Sequence, residues 1–465
     1  MTKSIKLLFL FIFSFTVICA QTELPVIRSN SDLVSIQIGS EIRKDSWRLA
    51  PEANPDVFEA EVIGGKTTKV KFITDLDSIE FEVEEGKKYD FIIQKGTEIC
   101  RTRIVGVRYV PAANFDSEYR SKNRGKISVE IPEVYELVNI AIALTEVGLA
   151  DKSLVVQDTK YYEAMRKWFD DYKNYKVIRD LNELLSKNPS IYFSLKMNGY
   201  AFEFGKNNKI VKSKIYERTG FPGESSNTLE PFIPQLEVFA ISSNFRKFFR
   251  KNRKTYDDQL KFYRETANIS GMKAWLDKNF PASSDYDTYK IVFSPLVGYN
   301  QSTTWLESNG FKELQPHVNF PYSFDSSLSA EAQVLSRGAI VFTEINHGYI
   351  NPEAEKYAER ISNAISDRNR WVDPKMGGGY YPGVDTFNEY MNWALVNLLY
   401  VDYAPAADQA KLIASIDEMM TKRRGFPKFA EFDGFIIELY KNRKQHETLA
   451  DLYPQIIGWF ERNNK

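Results

Sequence analysis

The sequence predicts an α+β protein: a small N-terminal all-β, sandwich-like module followed by a mainly α-helical domain. Three observations carry this reading. Apolar and polar residues alternate with period two in short runs between about 23 and 110, as in Ile79-Glu80-Phe81-Glu82-Val83. From about 125 onward the apolar residues recur at helical spacing, as in Val134, Leu137, Val138, Ala141 and Leu144. The 465 residues are 43 % hydrophobic and 26 % charged, a globular balance with enough chain for two cores.

Residues 1–20 have the secretory pattern: Lys3 and Lys6, an apolar run from Leu7 to Val17, and Ala20 before Gln21. The run is too short to span a bilayer, and no later stretch supplies a transmembrane segment. The chain is therefore expected to be exported, to a periplasmic or extracellular destination. Lipid anchoring at Cys19 ranks below cleavage after Ala20, because bulky Ile18 precedes it. Cleavage leaves Cys100 as the sole thiol, so no disulfide framework or Cys-rich zinc module can form. The whole chain has a formal charge of −1. It builds no basic field, and nucleic acid is excluded as a partner.

The β-rich module, 21–115, comprises Val57–Ile63, the turn Gly64-Gly65, Lys69–Ile73, Ile79–Val83, Tyr89–Ile93 and Ile99–Val105, read as a meander. Cys100 reads as a buried, inert thiol. The domain spanning 125–465 opens with helices at Pro132–Gly148, after an Asp158 cap, and at Tyr175–Leu185. Ile191–Leu195 is strand-like. Helices are expected at Pro234–Arg250 and Tyr256–Lys278, then a strand at Tyr289–Phe293 and a polar loop. The last third is the most helical, with Ser329–Tyr349, Glu353–Asp367, Thr386–Val401, Asp408–Arg423, Phe429–Asn442 and Leu449–Arg462. A Gly/Pro-rich loop holds Gly377-Gly378-Gly379, Tyr380 and Tyr381. The basic clusters at 246–254 and 422–424 read as solvated helix faces.

One constellation carries chemistry. Ser329 caps a helix bearing Phe342-Thr343-Glu344-Ile345-Asn346-His347-Gly348-Tyr349-Ile350-Asn351-Pro352. Glu344 and His347 lie three apart, on one helical face, in an apolar context that demands a partner for the carboxylate. The spacing alone also fits a hydrogen-bonded core pair. A histidine at position 343 would complete His-Glu-x-x-His, the two-ligand, one-base pattern of metallohydrolases. Phosphate-binding loops, the Gly-x-Ser-x-Gly elbow and the dinucleotide fingerprint are absent.

This stretch resembles an uncharacterised family of secreted bacterial proteins, catalogued as a domain of unknown function and itself similar to gluzincin-type zinc peptidases. The resemblance rests on Glu344, His347 and the tail Tyr349-Ile350-Asn351-Pro352, and covers about 125–465. It implies a metallopeptidase-like fold, zinc as cofactor, and a peptide or protein substrate. It also implies Glu344 as general base, His347 as ligand, and Glu389 of Asn388-Glu389 as the later ligand. Thr386-x-x-Glu389 is equally a capping box, with Glu389 bonding the cap amide. Thr343, Tyr349, Asn388, Tyr380 and Tyr381 are candidate cleft residues. Thr343 departs from the pattern, and three readings follow. The site is a catalytically inactive scaffold serving binding or structure; or His317, otherwise a loop or capping residue, supplies the missing ligand; or Glu344 itself ligates iron or manganese. His446 reads as a solvated cap. The oligomeric state is not encoded in these patterns.

Overall fold

A computed structural model describes residues 24–283, 286–376 and 383–464. The leader at 1–20 with Cys19, and the loop residues Gly377 to Gly379, Tyr380 and Tyr381, lie outside the described residues. The chain divides between Tyr109 and Val110 into two units.

The first unit contains β1 (Val26–Ser29), β2 (Leu33–Ile38), β3 (Glu41–Arg48), β4 (Asp56–Val62), β5 (Thr68–Ile73), β6 (Ser78–Val83), β7 (Lys88–Lys95) and β8 (Glu98–Arg108). They form two four-stranded sheets, in the orders β1-β7-β8-β4 and β3-β2-β5-β6. Alternate residues from both sheets meet in one core, among them Val34, Val62, Val70, Phe72, Phe91, Ile93 and Cys100. The Phe72 ring sits 5.5 Å from Phe58 and 5.0 Å from Phe91, edge to face. Burial pushes the Cys100 thiol up from its ordinary proton affinity, which keeps it unreactive.

The meander reading is corrected here. Gly64-Gly65 does not close a hairpin: β4 pairs in parallel with β8, whereas β5 pairs with β2 and β6. Val62 and Val70 must both face the shared core from opposite sides. The left-handed Gly65 (φ +76°) therefore turns the chain from one sheet to the other.

The second unit is mainly helical around a mixed sheet. Its strands are β9 (Ile127–Glu130), β10 (Phe202–Phe204), β11 (Ile210–Lys212), β12 (Thr288–Phe293), β13 (Ser302–Ser308) and β14 (Phe311–Val318). The main sheet runs β13-β14-β12-β9; β12 is parallel to both neighbours and β13 is an antiparallel edge. Every residue of β12 is buried, as a central strand covered on both faces requires. Strands β13 and β14 occupy the stretch expected to be a polar loop. Residues 313–318 are buried without a break, because the strand is covered on both faces, and Glu313, Gln315 and His317 are polar, so neither an alternation nor an apolar run marks it. Glu313 accepts from Tyr216 Oη (2.7 Å), from Tyr119 and from Gln315 Nε2 (2.6 Å), which compensates its burial.

Other elements also depart from expectation. Residues Ile191–Asn198 form a helix, not a strand; the segment is buried nearly all round, so it shows no amphipathic period. The stretch from Pro234 to Arg250 splits into helices Ile233–Ser242 and Phe245–Lys251 at Asn244, whose φ is +54°. The stretch from Tyr256 to Lys278 becomes a helix Arg253–Lys261, a π-helical turn Phe262–Thr266 and a helix Ile269–Asn279. The helix expected to stop at Tyr349 instead runs Ala330–Glu355, straight through Pro352. It packs along β14 and the helix Gly383–Tyr403. Among the described residues no helix is long and apolar enough to cross a membrane.

Candidate functional site

The Ala330–Glu355 helix starts as expected, with Ser329 Oγ accepting from the Ala332 amide at 3.3 Å. Gly348 sets its distance from the sheet. A Cβ there would lie 3.1 Å from Leu314 Cδ2 on β14 and 3.0 Å from the Tyr286 ring. On the neighbouring turns Thr343, Glu344 and Asn346 are buried and His347 is half-buried. Asn346 Nδ2 donates to the Asn392 carbonyl (3.1 Å), tying this helix to Gly383–Tyr403.

Glu344 and His347 do share a helical face, beside Glu389 of the second helix. Burial pushes the Glu344 carboxyl up to about 7, and the Glu389 charge adds to this; His347, Lys196 and Arg424 oppose it. Asn392 Nδ2 donates to His347 Nε2 at 2.9 Å. That leaves Nδ1 to carry the ring proton toward Asn351 Oδ1, 3.2 Å away. The Asn351 of the Asn-Pro tail thus orients the imidazole. Tyr349 is turned away: its hydroxyl donates to Asp277 Oδ1 (2.8 Å) and meets Tyr289 Oη at 2.6 Å. Two residues beyond His347 on a helix is roughly 200° around it.

The capping reading of Glu389 is corrected. The helix begins at Gly383, so Glu389 lies well inside it, not at its third position. Its Oε1 accepts from Trp393 Nε1 at 2.9 Å and pairs with Arg424 Nη2 at 2.6 Å. The guanidinium also lies over the Trp393 ring, 5.3 Å from its centroid. Arg424, expected on a solvated face, is therefore the counter-charge of a buried carboxylate. Asn388 is buried beside it, and its Oδ1 meets no partner among the described residues.

His317 is not in a loop. It is fully buried on β14, opposite Ser302 and Val292, with its ring 5.6 Å from Tyr135. Burial, with Lys196 nearby, drives its proton affinity well below the ordinary value, so it is neutral. Lys196 projects from the Ile191–Asn198 helix, donates to the Asn300 carbonyl, and is fully buried; burial pulls its ammonium down to about 7. His446 is exposed in the turn before Thr448, and Thr448 makes the capping box.

Lys196, Asn392 and Arg424 were not foreseen. Lys196 is the single charge in Tyr192-Phe193-Ser194-Leu195-Lys196-Met197, and Asn392 lies three after Glu389 on the same face. Both are signals a one-helix reading passes over.

Catalytic zinc takes three protein ligands and keeps one position for water. Here the Thr343 hydroxyl is committed to the Ile340 carbonyl (2.7 Å), His347 Nε2 to Asn392, and Glu389 Oε1 to Arg424 and Trp393. The donors expected from the resemblance do not fit a zinc ion as arranged, and the same engagement of His347 applies to a carboxylate-type iron or manganese site. Among the described residues no group of three or more His, Cys, Asp or Glu is arranged to hold a metal. Comparison with protein-family models, with curated proteins and with solved structures returned no match to this chain.

Proposed function

We propose that the chain is an exported cell-envelope protein whose helical unit is a metallopeptidase-like scaffold that binds a peptide or protein without cleaving it. One observation carries the reading: the positive charge facing Glu389 is Arg424, at 2.6 Å, where the resemblance calls for a metal. The Asn392 amide on His347 Nε2 supports it, because it satisfies the nitrogen a ligand would offer. The leader pattern at 1–20 supports export.

A second reading keeps hydrolysis in a metal-free form, and Glu344 favours it. A buried carboxyl held near 7 has the proton affinity a general acid–base group needs at neutral pH.

Metal analysis of the purified chain and hydrolysis of a mixed peptide library, with wild type beside Glu344→Gln, test the proposal. The expected result is far less than one zinc per chain and no turnover above the variant's background. One zinc per chain with turnover lost in Glu344→Gln would sink it. Metal-free turnover lost in the variant would favour the second reading.

A further inference from the structure

Two buried side chains of the second unit carry polar atoms that nothing in the fold answers. They are His317, near the end of β14, and Tyr135, on the helix Glu133–Ala143; both are 0 % exposed. Neither ring nitrogen of His317 meets a hydrogen-bond partner among the described residues, and nor does the Tyr135 hydroxyl. The two rings lie 5.6 Å apart, centroid to centroid. Native interiors answer nearly all their buried polar groups, so two neighbouring side chains left unanswered point to a shared occupant.

The helix Ile191–Asn198 packs against the same place. Ser302 Oγ donates to Met197 Sδ at 3.1 Å, and Ser302 is the direct β13 partner of His317, on the same face of the sheet. Gly199, just beyond the helix, sits so close to the Tyr135 backbone that a Cβ would lie 3.2 Å from Tyr135 Cα. Lys196 of this helix is also 0 % exposed. Its ammonium donates to the Asn300 carbonyl and lies 5.2 Å from the Tyr192 and Phe193 ring centroids, none of which is a counter-charge. Glu344 acts on Lys196 electrostatically without forming an ion pair with it, and the Lys196 charge in turn acts on His317. An ammonium at this depth needs a counter-ion or surrenders its proton.

We propose that Lys196, His317 and Tyr135 hold a small monovalent anion of halide size. Each of the three can donate: the Tyr135 hydroxyl, the one N–H of a neutral His317, and the ammonium N–H groups that Asn300 does not use. The Lys196 charge excludes a cation. Water would answer the hydrogen bonds but leave the ammonium unneutralised, whereas an anion does both. Complete burial of all three side chains selects an ion of one or a few atoms over a larger carboxylate. The site does not depend on the function proposed above.

The test is thermal unfolding of the purified full chain at pH 6.5 in sodium gluconate, whose anion is too large to enter, and then with chloride or bromide replacing gluconate at constant ionic strength. For wild type we expect a saturable rise in Tm of about 2 °C or more with either halide. Tyr135→Phe keeps the ring and removes one hydrogen bond to the ion, so the halide concentration at half-maximal rise should increase about tenfold. Lys196→Met removes the charge and should abolish the response. If Lys196→Met does not fold, Tyr135→Phe decides alone. Equal Tm values for wild type in gluconate and in chloride overturn the proposal and assign the orphaned atoms to buried water. A response unchanged in Tyr135→Phe, or one that survives in Lys196→Met, overturns it as well.

Discussion

Arg424 and Glu389 are the residue pair on which the candidate site turns. Glu389 is 5 % exposed, so removing its partner strands a charge in a poorly solvated position. Arg424→Gln should therefore cost about 2 kcal/mol, below the range for fully buried pairs because the Arg424 side chain is 30 % exposed. Adding Glu389→Gln should recover most of that loss, since the double variant has no charge left to satisfy. Urea unfolding of the two singles and the double measures the coupling; a loss below about 0.5 kcal/mol in Arg424→Gln would show that solvent already screens the carboxylate. At this scale the sequence exposes residue types but not their partners. Glu344 and His347 were legible because their spacing along one helix is local information, whereas Glu389 entered only through the resemblance, its own local pattern reading as a cap. Arg424, 35 residues after Glu389, and Lys196, 148 before Glu344, reach the cluster through tertiary packing that no local pattern encodes.

Elements were legible wherever burial follows polarity, and illegible where it does not. The strands β4 to β8 and the helices of the last third alternate or repeat with apolar residues inward. In β14 residues 313–318 are all buried, and Glu313, Gln315 and His317 among them are polar, so no alternation of polarity betrays the strand and it reads as a loop. A separate signal was available in Asn309-Gly310: both residues have positive φ, and they close a two-residue hairpin with Ser308 opposite Phe311. The Ala330–Glu355 helix offers a test of how tightly an element is held to the sheet. Gly338 and Gly348 both sit inside it. A Cβ at 338 meets the flexible end of Met272 at 2.6 Å and the Ala267 carbonyl oxygen at an ordinary 3.7 Å, whereas at 348 it meets buried Leu314 at 3.1 and 3.2 Å and the Tyr286 ring at 3.0 Å. Alanine gains up to about 1 kcal/mol of helix propensity at either place. Gly338→Ala should accordingly be neutral or stabilising. Gly348→Ala should cost about 1–2 kcal/mol net, because several buried atoms must move together. Equal stabilities for the two variants in thermal melts would mean that the helix is free to shift along β14.

For the whole molecule, the two units carry separate cores, and the carboxyls that burial lifts to near neutrality lie in the second. In the second unit burial lifts Glu136 and Glu344 from 4.5 to about 7. The native chain then holds protons between about pH 4.5 and 7 that the unfolded chain has released, so these two groups make stability fall as pH rises through that window; neutral His317 opposes them below about pH 6.5 but is one group against two. A shift of this size corresponds to on the order of 3 kcal/mol per group at its upper end. Lys196 has the reverse sign: lowered from 10.5 to about 7, it makes the unfolded chain the better proton binder above pH 7, and stability recovers there. The combined effect is a minimum near neutral pH. In the first unit Asp90, held low chiefly by its hydrogen bond from Arg103, and Asp75, held low chiefly by the Asn30 amide, stabilise above the ordinary carboxylate range and lose that contribution as pH falls. Neither titrates between pH 5.5 and 7. Calorimetry at pH 5.5, 6.2 and 7.0 should therefore show one transition, that of residues 110–465, moving to lower temperature as pH rises, while the other stays in place. Glu136→Gln keeps an acceptor for the Tyr161 hydroxyl, which lies 2.5 Å from Glu136 Oε1, and should reduce the shift, with Glu344, Asp385 and Asp417 carrying the rest. If both transitions moved together, or if the variant kept the full slope, the buried carboxyls would not be what sets the pH response of this unit.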